Sequence, residues 1–140
     1  GSVFSEAAHF QEELHVVEFD PRAKKAVPSK KSKGVCEEEE IYSALKLGVH
    51  DYVTKNGFKG TVIGLSGGID SALVAALAVD ALGAKSVTGV TMPSPYTSAE
   101  TYADSKLLAS RLGVRCLEFR IDSLFAEYKK VLESVFAGHK

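Results

Sequence analysis

The sequence lacks a net charge of either sign and any long apolar run. Lysine and arginine total 17 and aspartate and glutamate total 18, so the formal net charge is −1. Such a balanced chain offers no electrostatic basis for nucleic acid as a general partner. No stretch approaches the roughly 20 apolar residues that a membrane-spanning helix needs. The composition therefore predicts neither a nucleic acid nor a membrane as a partner.

Cysteine is also scarce. The two cysteines, Cys36 and Cys116, lie far apart in the sequence and form no Cys-x-x-Cys motif. Isolated thiols of this kind are typical of a protein kept in a reducing compartment. We therefore expect a cytoplasmic protein with two unpaired thiols. Cys116 is expected to be a small core residue, and Cys36 has no visible base beside it that would activate the thiol.

The composition is otherwise that of a globular protein, with 45% apolar and 25% charged residues in a chain of 140. The first 36 residues differ from the rest. Residues 15–19 are apolar enough for one short strand. Residues 20–36 hold two prolines and six basic residues, which is typical of a solvated linker. A basic arm for nucleic acid is the less favoured interpretation of the same run.

A helix is predicted to begin at four consecutive glutamates, residues 37–40. Carboxylates are favoured in a first turn because the helix N-terminus carries a partial positive charge. The apolar residues that follow recur at helical spacing and predict one buried stripe. They are Ile41, Leu45, Val49, Tyr52 and Val53. Asn56 and Gly57 predict the end of this helix.

From Gly60 onward, strand and helix patterns alternate three times. The predicted strands are residues 61–66, 86–92 and 114–121, and the first of them is expected to be buried. The predicted helices are residues 70–82, a segment from the capping-box sequence at 97–100 to about Leu112, and a last helix from a cap at Asp122 to Phe136. Short connections between alternating elements imply parallel strands with right-handed crossovers. We therefore predict an α/β fold with an open parallel sheet.

Residues 64–71 read GLSGGIDS and lie where the first predicted strand meets the first helix of this alternation. In an open parallel sheet, ligands bind beyond the carboxyl ends of the strands. Gly67 and Gly68 let the backbone approach a ligand closely, and free amides at a helix N-terminus attract phosphate. Ser66 and Ser71 add two hydroxyl donors. The segment therefore predicts a phosphate site.

Asp70 is the unusual member of this segment, because a carboxylate repels phosphate unless a cation lies between them. We therefore predict a Mg²⁺ ion that bridges Asp70 and phosphate oxygens. A purely structural alternative remains, in which the two glycines form a tight turn and Asp70 and Ser71 cap the helix. The segment is not a Walker A loop, since it has no lysine, and it is not a Gly-x-Gly-x-x-Gly motif.

Instead, the segment resembles the pyrophosphate-binding loop of the N-type ATP pyrophosphatases. GMP synthetases, asparagine synthetases, tRNA-modifying enzymes and NAD synthetases share this loop. Residues 61–83 read TVIGLSGGIDSALVAALAVDALG, and residues 87–98 read VTGVTMPSPYTS. Together they resemble NAD synthetases, in particular the glutamine-dependent type, in which a Met-Pro-Ser-x-Tyr-Ser/Thr-Ser segment follows the second strand. The resemblance covers roughly residues 37–137.

The resemblance implies a Rossmann-like, three-layer α/β/α fold of the adenine nucleotide alpha hydrolase type. It implies that residues 1–36 are the tail of a nitrilase-type amidase domain and its linker, and that residues 37–140 begin the synthetase domain. In this family the synthetase domain continues past the position of Lys140 with segments that complete the deamido-NAD⁺ and Mg²⁺ sites. The 140 residues alone are therefore expected to be inactive. A homodimer at least is also implied.

The implied reaction is the ATP-dependent amidation of deamido-NAD⁺ to NAD⁺, with nitrogen from glutamine or ammonia. ATP adenylates the nicotinate carboxylate and releases pyrophosphate, and nitrogen then displaces AMP. No protein nucleophile is required, so positioning and charge neutralisation carry the catalysis. The residues assigned to ATP are Gly64, Leu65, Ser66, Gly67, Gly68, Ile69, Asp70, Ser71 and Met92.

Within this set, Asp70 is assigned to Mg²⁺ and the backbone near Met92 to the border of the adenine. Residues 94–98 form either a loop over the site or a plain helix-capping turn. Two other functions are kept as alternatives. The first is another N-type ATP pyrophosphatase, such as a GMP synthetase or a tRNA-thiolation enzyme. The second is a non-catalytic ATP-binding module, which binds ATP without acceptor-dependent turnover.

Overall fold

The computed structural model describes residue 3, residues 5–27 and residues 34–137. The chain divides into two compact units, Gly1–Gly48 and Val49–Lys140. Among the described residues, no helix combines the length and the apolar character that crossing a membrane requires.

The first unit contains a short antiparallel hairpin. Strand β1 is Phe19–Asp20 and pairs with β2, Lys25–Ala26. The Asp20 Oδ1 atom accepts hydrogen bonds from the amides of Arg22 and Ala23, at 2.8 and 3.1 Å, which is how aspartate stabilises a tight turn. The prediction of a strand over residues 15–19 is therefore wrong except at Phe19, because β1 covers only Phe19–Asp20 beside this turn.

This hairpin occupies part of the segment predicted to be a linker. The local aspartate turn, rather than apolar content, produces the pairing, and the side chains involved stay mostly exposed. The second half of the basic run, residues 28–33, lies outside the described residues.

Helix α1 spans Glu37–Lys55, with all four glutamates in its first turn and Gly57 in the left-handed region at φ 72° just beyond its end. Both predicted boundaries are confirmed. The predicted buried stripe is wrong. Of its members only Val53 is buried, whereas Ile41 is 53% and Tyr52 is 66% exposed. Helical spacing shows which face could be buried, but burial also requires an opposing surface.

The second unit is built on a parallel sheet of three strands in the order β3-β4-β5. The strands are Thr61–Gly64, Val87–Thr91 and Arg115–Glu118. The helices of this unit that follow them are α2 (Ile69–Leu82), α3 (Ala99–Leu112) and α4 (Asp122–Phe136). The order and the parallel pairing confirm the predicted α/β fold with an open parallel sheet.

Each strand is shorter than predicted at its carboxyl end, because residues 65–66, 92 and 119–121 leave the sheet and form loops. The first strand is also less buried than predicted. Val62 is 70% exposed, whereas Ile63 on the opposite side packs against the core. One face of the edge strand β3 therefore carries the contacts with the helices.

The core forms where α2 and α3 pack on one another and on the sheet. Small residues dominate it, and Cys116 packs at its margin as a half-buried thiol. Its buried members are Leu65, Ala75, Ala78, Val87, Ala109 and Val114. The alanine side of α2 therefore faces inward, while Leu73 and Val74 are 57% and 52% exposed.

The C-terminal ends of α2 and α3 agree with prediction, because Gly83 and Gly113 follow these helices at positive φ. The N-terminal ends of α3 and α4 differ from prediction. The N-cap of α3 is Ser98, not Thr97, so the capping pair is shifted by one residue. Asp122 does not cap α4: its carboxylate accepts a hydrogen bond from Arg120 Nε at 3.0 Å, and Ile121 is the cap position.

Candidate functional site

A short loop, residues 65–68, connects the end of β3 to the start of α2. The buried side chain of Leu65 and its amide, which donates to the Val90 carbonyl at 2.7 Å, anchor the loop to the neighbouring strand. Gly67 follows at φ 83°, and Gly68 caps α2 in an extended conformation. The loop is therefore fixed to the sheet at one end and to a helix N-terminus at the other.

Two serine hydroxyls brace this loop. Ser71 Oγ donates to the Gly68 carbonyl at 3.0 Å and accepts from the Ser66 amide at 3.2 Å. Ser66 Oγ accepts from the Gly68 amide at 3.2 Å and lies 3.1 Å from Ser71 Oγ. The side chains that the sequence assigns to phosphate therefore also define the shape of the loop that would receive it.

Gly67 lies against the first turn of α3. A Cβ atom at this position would be 2.3 Å from the Thr101 carbonyl oxygen and 2.6 Å from Thr101 Cγ2. Both distances are too short for any side chain. Glycine is thus required here both by the positive φ and by the close approach of the two segments.

Asp70 is exposed in the first turn of α2. Over the described ranges, no group of three or more His, Cys, Asp or Glu side chains is arranged to hold a metal ion. Mg²⁺ commonly takes one or two protein carboxylates, with waters and substrate phosphates as its remaining ligands. The single carboxylate of Asp70 beside the loop fits that manner of binding, and it does not fit a cage made of protein groups alone.

A cavity of about 520 Å³ opens at the carboxyl ends of β3 and β4, beside this loop. Its volume is in the range of small-molecule sites. Three segments line it: the end of β3, the end of β4 with the following turn, and the first turns of α3. The lining residues are Gly64, Leu65, Ser66, Val90, Thr91, Met92, Pro93, Tyr96, Thr97, Ser98, Thr101, Tyr102 and Ser105.

Both interpretations of residues 94–98 apply to this structure. Ser98 Oγ accepts from the Thr101 amide at 3.1 Å and donates to Thr101 Oγ1 at 2.8 Å, so the turn caps α3. Tyr96, Thr97 and Ser98 also line the cavity. The Tyr96 ring is held edge-on by Phe125 of α4, with centroids 5.3 Å apart.

The structure brings four of the residues assigned to ATP into the cavity wall, namely Gly64, Leu65, Ser66 and Met92. Gly67, Gly68, Ile69, Asp70 and Ser71 form the adjoining loop and first turn of α2. The residues of α3 that line the cavity were not predicted from the sequence. Thr101, Tyr102 and Ser105 lie on one side of α3, at positions i, i+1 and i+4, soon after the segment of residues 87–98. This spacing is the signal that could have found them.

Tyr102 is joined to a charged pair at the edge of the cavity. Its hydroxyl donates to Glu118 Oε2 at 2.5 Å, and Lys106 Nζ lies 2.9 Å from the same oxygen. The hydrogen bonds from Tyr102 and Lys106 lower the pKa of the Glu118 carboxyl. The same contact with Glu118 raises the pKa of the Tyr102 hydroxyl, so the phenol keeps its proton as a donor.

Comparisons with known proteins agree on one family. The family model "NAD synthase" matches residues 41–137. The chain is 52% identical over 105 residues to the glutamine-dependent NAD(+) synthetase of Aquifex aeolicus, an alignment that covers 71% of this chain and 18% of that protein. It is 40% identical over 137 residues to the glutamine-dependent NAD(+) synthetase of a Synechocystis strain, with 97% and 25% covered.

A solved structure shows the same similarity. Glutamine-dependent NAD⁺ synthetase from Acinetobacter baumannii, in complex with adenosine diphosphate, superposes with a TM-score of 0.87 at 38% identity. The superposition covers 94% of this chain and 25% of that one. The chain therefore spans a quarter or less of the length of these three relatives.

Proposed function

Because the chain belongs to the NAD synthase family, we propose that it forms the ATP-binding part of a glutamine-dependent NAD⁺ synthetase. The observation that carries the proposal is the cavity of about 520 Å³ that continues into the loop at residues 65–68. An apolar wall with several hydroxyl groups suits a nucleoside, and a glycine-containing loop at a helix N-terminus suits its phosphates. The related Acinetobacter enzyme was solved with adenosine diphosphate, which supports the same ligand class.

In the proposed reaction, the nicotinate carboxylate of deamido-NAD⁺ attacks the α-phosphorus of ATP, and pyrophosphate leaves. Ammonia, supplied directly or from glutamine, then attacks the adenylated carbonyl carbon, and AMP leaves. The residues of this chain act on the phosphates. The amides of Gly67, Gly68 and Ile69, together with the hydroxyls of Ser66 and Ser71, hold the β- and γ-phosphates in place.

Asp70 is proposed to hold Mg²⁺ against the phosphate oxygens. The bound ion would neutralise charge on the leaving pyrophosphate. The exposed position of Asp70 in the first turn of α2, next to the loop, supports this role. No other side chain in the segment of residues 64–71 carries a negative charge, so Asp70 is the one carboxylate in that segment.

Residues 1–36 are proposed to end a nitrilase-type amidase domain with its linker, and residues 37–140 to begin the synthetase domain. The similarity to the Synechocystis protein covers 97% of the chain, whereas the family model begins at residue 41, which supports a distinct first segment. The free thiols of Cys36 and Cys116 support a reducing, cytoplasmic location. A homodimer remains part of the proposal through the family resemblance.

The test begins with calorimetric titration of Mg-ATP into the full protein, where saturable binding is expected. Pyrophosphate release is then compared with deamido-NAD⁺ and XMP as acceptors, with glutamine or ammonia as the nitrogen donor. We expect release with deamido-NAD⁺ alone. Release with XMP would indicate a GMP synthetase instead, and binding without acceptor-dependent release would indicate a non-catalytic nucleotide-binding module.

Ser71→Ala is expected to weaken ATP binding by roughly 10- to 100-fold. A hydrogen bond to a charged phosphate is worth about 1.5–3 kcal/mol, and every 1.4 kcal/mol or so is a factor of ten. The variant also removes the bond from Ser71 Oγ to the Gly68 carbonyl. Ser123→Ala, at an exposed position in the first turn of α4, is the matched control. Equal ATP affinity in both variants would exclude the phosphate contact.

A further inference from the structure

Tyr102 lines two neighbouring cavities. It lines the cavity of about 520 Å³ and also a second one of about 290 Å³. The two cavities share Tyr102 with Pro93, Thr97 and Ser98. The second cavity is more polar in character, because Glu118 and Arg120 lie in its wall. The phenol ring is the largest side chain common to both, so it lies where the two cavities adjoin.

The position of this ring is held from two sides. The hydroxyl donates to Glu118 Oε2 at 2.5 Å, and Lys106 Nζ lies 2.9 Å from that oxygen. Lys106 Nζ is also 5.5 Å from the centre of the Tyr102 ring, within cation–π distance. Tyr102 and Lys106 are one helical turn apart on α3, so each of the three side chains touches the other two.

Glu118 is itself anchored by backbone pairing. It is the last residue of β5, and the next amide, that of Phe119, donates to the Thr91 carbonyl at 2.9 Å. The Ile121 amide donates to the Pro93 carbonyl at 3.2 Å. These bonds fix the residues that directly follow β5 to the segment that lines the cavity. The backbone that carries the Glu118 carboxylate is therefore held beside the cavity.

We propose that Tyr102 determines which nucleosides fit into the first cavity. Its ring closes that cavity toward the second one, and the contacts with Glu118 and Lys106 hold the ring in this position. The inference rests on the proposed function, which places a nucleotide in the larger cavity. With the phosphates at the loop of residues 65–68, the nucleoside part of the ligand extends toward α3 and meets this wall. A bulky group added to the nucleoside would then collide with the ring.

The experiment compares dissociation constants of Mg-ATP and two enlarged analogues, N6-benzyl-ATP and a ribose-linked N-methylanthraniloyl-ATP, for the full protein. Tyr102→Ala joins the two cavities. It should improve the affinity of at least one analogue relative to ATP by about tenfold or more, the scale on which cavity shape discriminates ligands. Glu118→Gln keeps the ring but weakens its anchor, and it should shift the same ratio in the same direction by about threefold.

Tyr128→Ala and Glu127→Gln, at exposed positions of α4, are the matched controls and should leave the ratio unchanged. A merely structural role for Tyr102 would weaken ATP and both analogues equally. Unchanged ratios with normal ATP binding would overturn this inference alone, whereas a wild-type protein that binds no ATP would overturn the proposed function. If circular dichroism shows that Tyr102→Ala does not fold, the affinity of the analogues relative to ATP in Glu118→Gln decides whether the inference holds.

Discussion

Gly67→Ala is expected to disrupt the loop of residues 65–68 and to lower the free energy of unfolding by about 2–3 kcal/mol. This is the range of strain that a side chain causes at a backbone position with positive φ. Gly67 has φ 83°, and its added Cβ atom would lie 2.3 Å from the Thr101 carbonyl oxygen. The new methyl group cannot move away from a backbone atom by changing a rotamer. Either the loop or the first turn of α3 must shift, and both line the cavity.

The measurement is thermal and urea unfolding followed by circular dichroism, together with calorimetric titration of Mg-ATP. ATP affinity should fall by roughly 30- to 150-fold, because the loop must overcome a penalty of this size to bind and every 1.4 kcal/mol or so is a factor of ten. Gly68→Ala is the matched control for stability. Gly68 has φ −87°, and its Cβ atom would meet only the Ser66 hydroxyl, at 3.4 Å. Equal unfolding curves for the two variants would show that the contact with Thr101 is not close.

Asp70→Asn is expected to leave the fold intact and to remove the proposed Mg²⁺-dependent release of pyrophosphate. The side chain is exposed in the first turn of α2, so its loss should cost only the interaction with the helix dipole, about 0.3–1 kcal/mol. A metal ion supplies several kcal/mol of charge stabilisation to phosphoryl chemistry. Pyrophosphate release by the full protein should therefore fall by at least roughly 100-fold.

Two measurements separate this loss from a general effect on the helix. First, the dissociation constant of ATP should depend on Mg²⁺ concentration in the wild type and lose that dependence in Asp70→Asn. Second, Glu100→Gln removes a carboxylate from the first turn of the neighbouring helix α3 and should retain release. Pyrophosphate release by Asp70→Asn at the wild-type rate would rule out Asp70 as the metal ligand.

The helices, the three strands and the glycine loop could be predicted from the sequence because the signals that mark each of them lie close together along the chain. Four glutamates mark the start of α1, Gly83 and Gly113 follow the ends of α2 and α3, and the loop lies where a β-branched run meets a helix. Hydrogen bonds within a helix turn and backbone angles at glycine are local properties. The α/β fold and the family therefore follow from short patterns.

The tertiary structure alone decided which residues are buried and which residues of α3 line the cavity. The stripe on α1 has helical spacing, yet Ile41 and Tyr52 are exposed because spacing says nothing about an opposing surface. Tyr102 and Glu118 are 16 residues apart and meet only because β5 pairs beside β4. The close approach of Gly67 to Thr101 likewise depends on how α3 packs. Such contacts join residues that are distant in sequence, so helix and strand propensities, which depend on near neighbours, do not predict them.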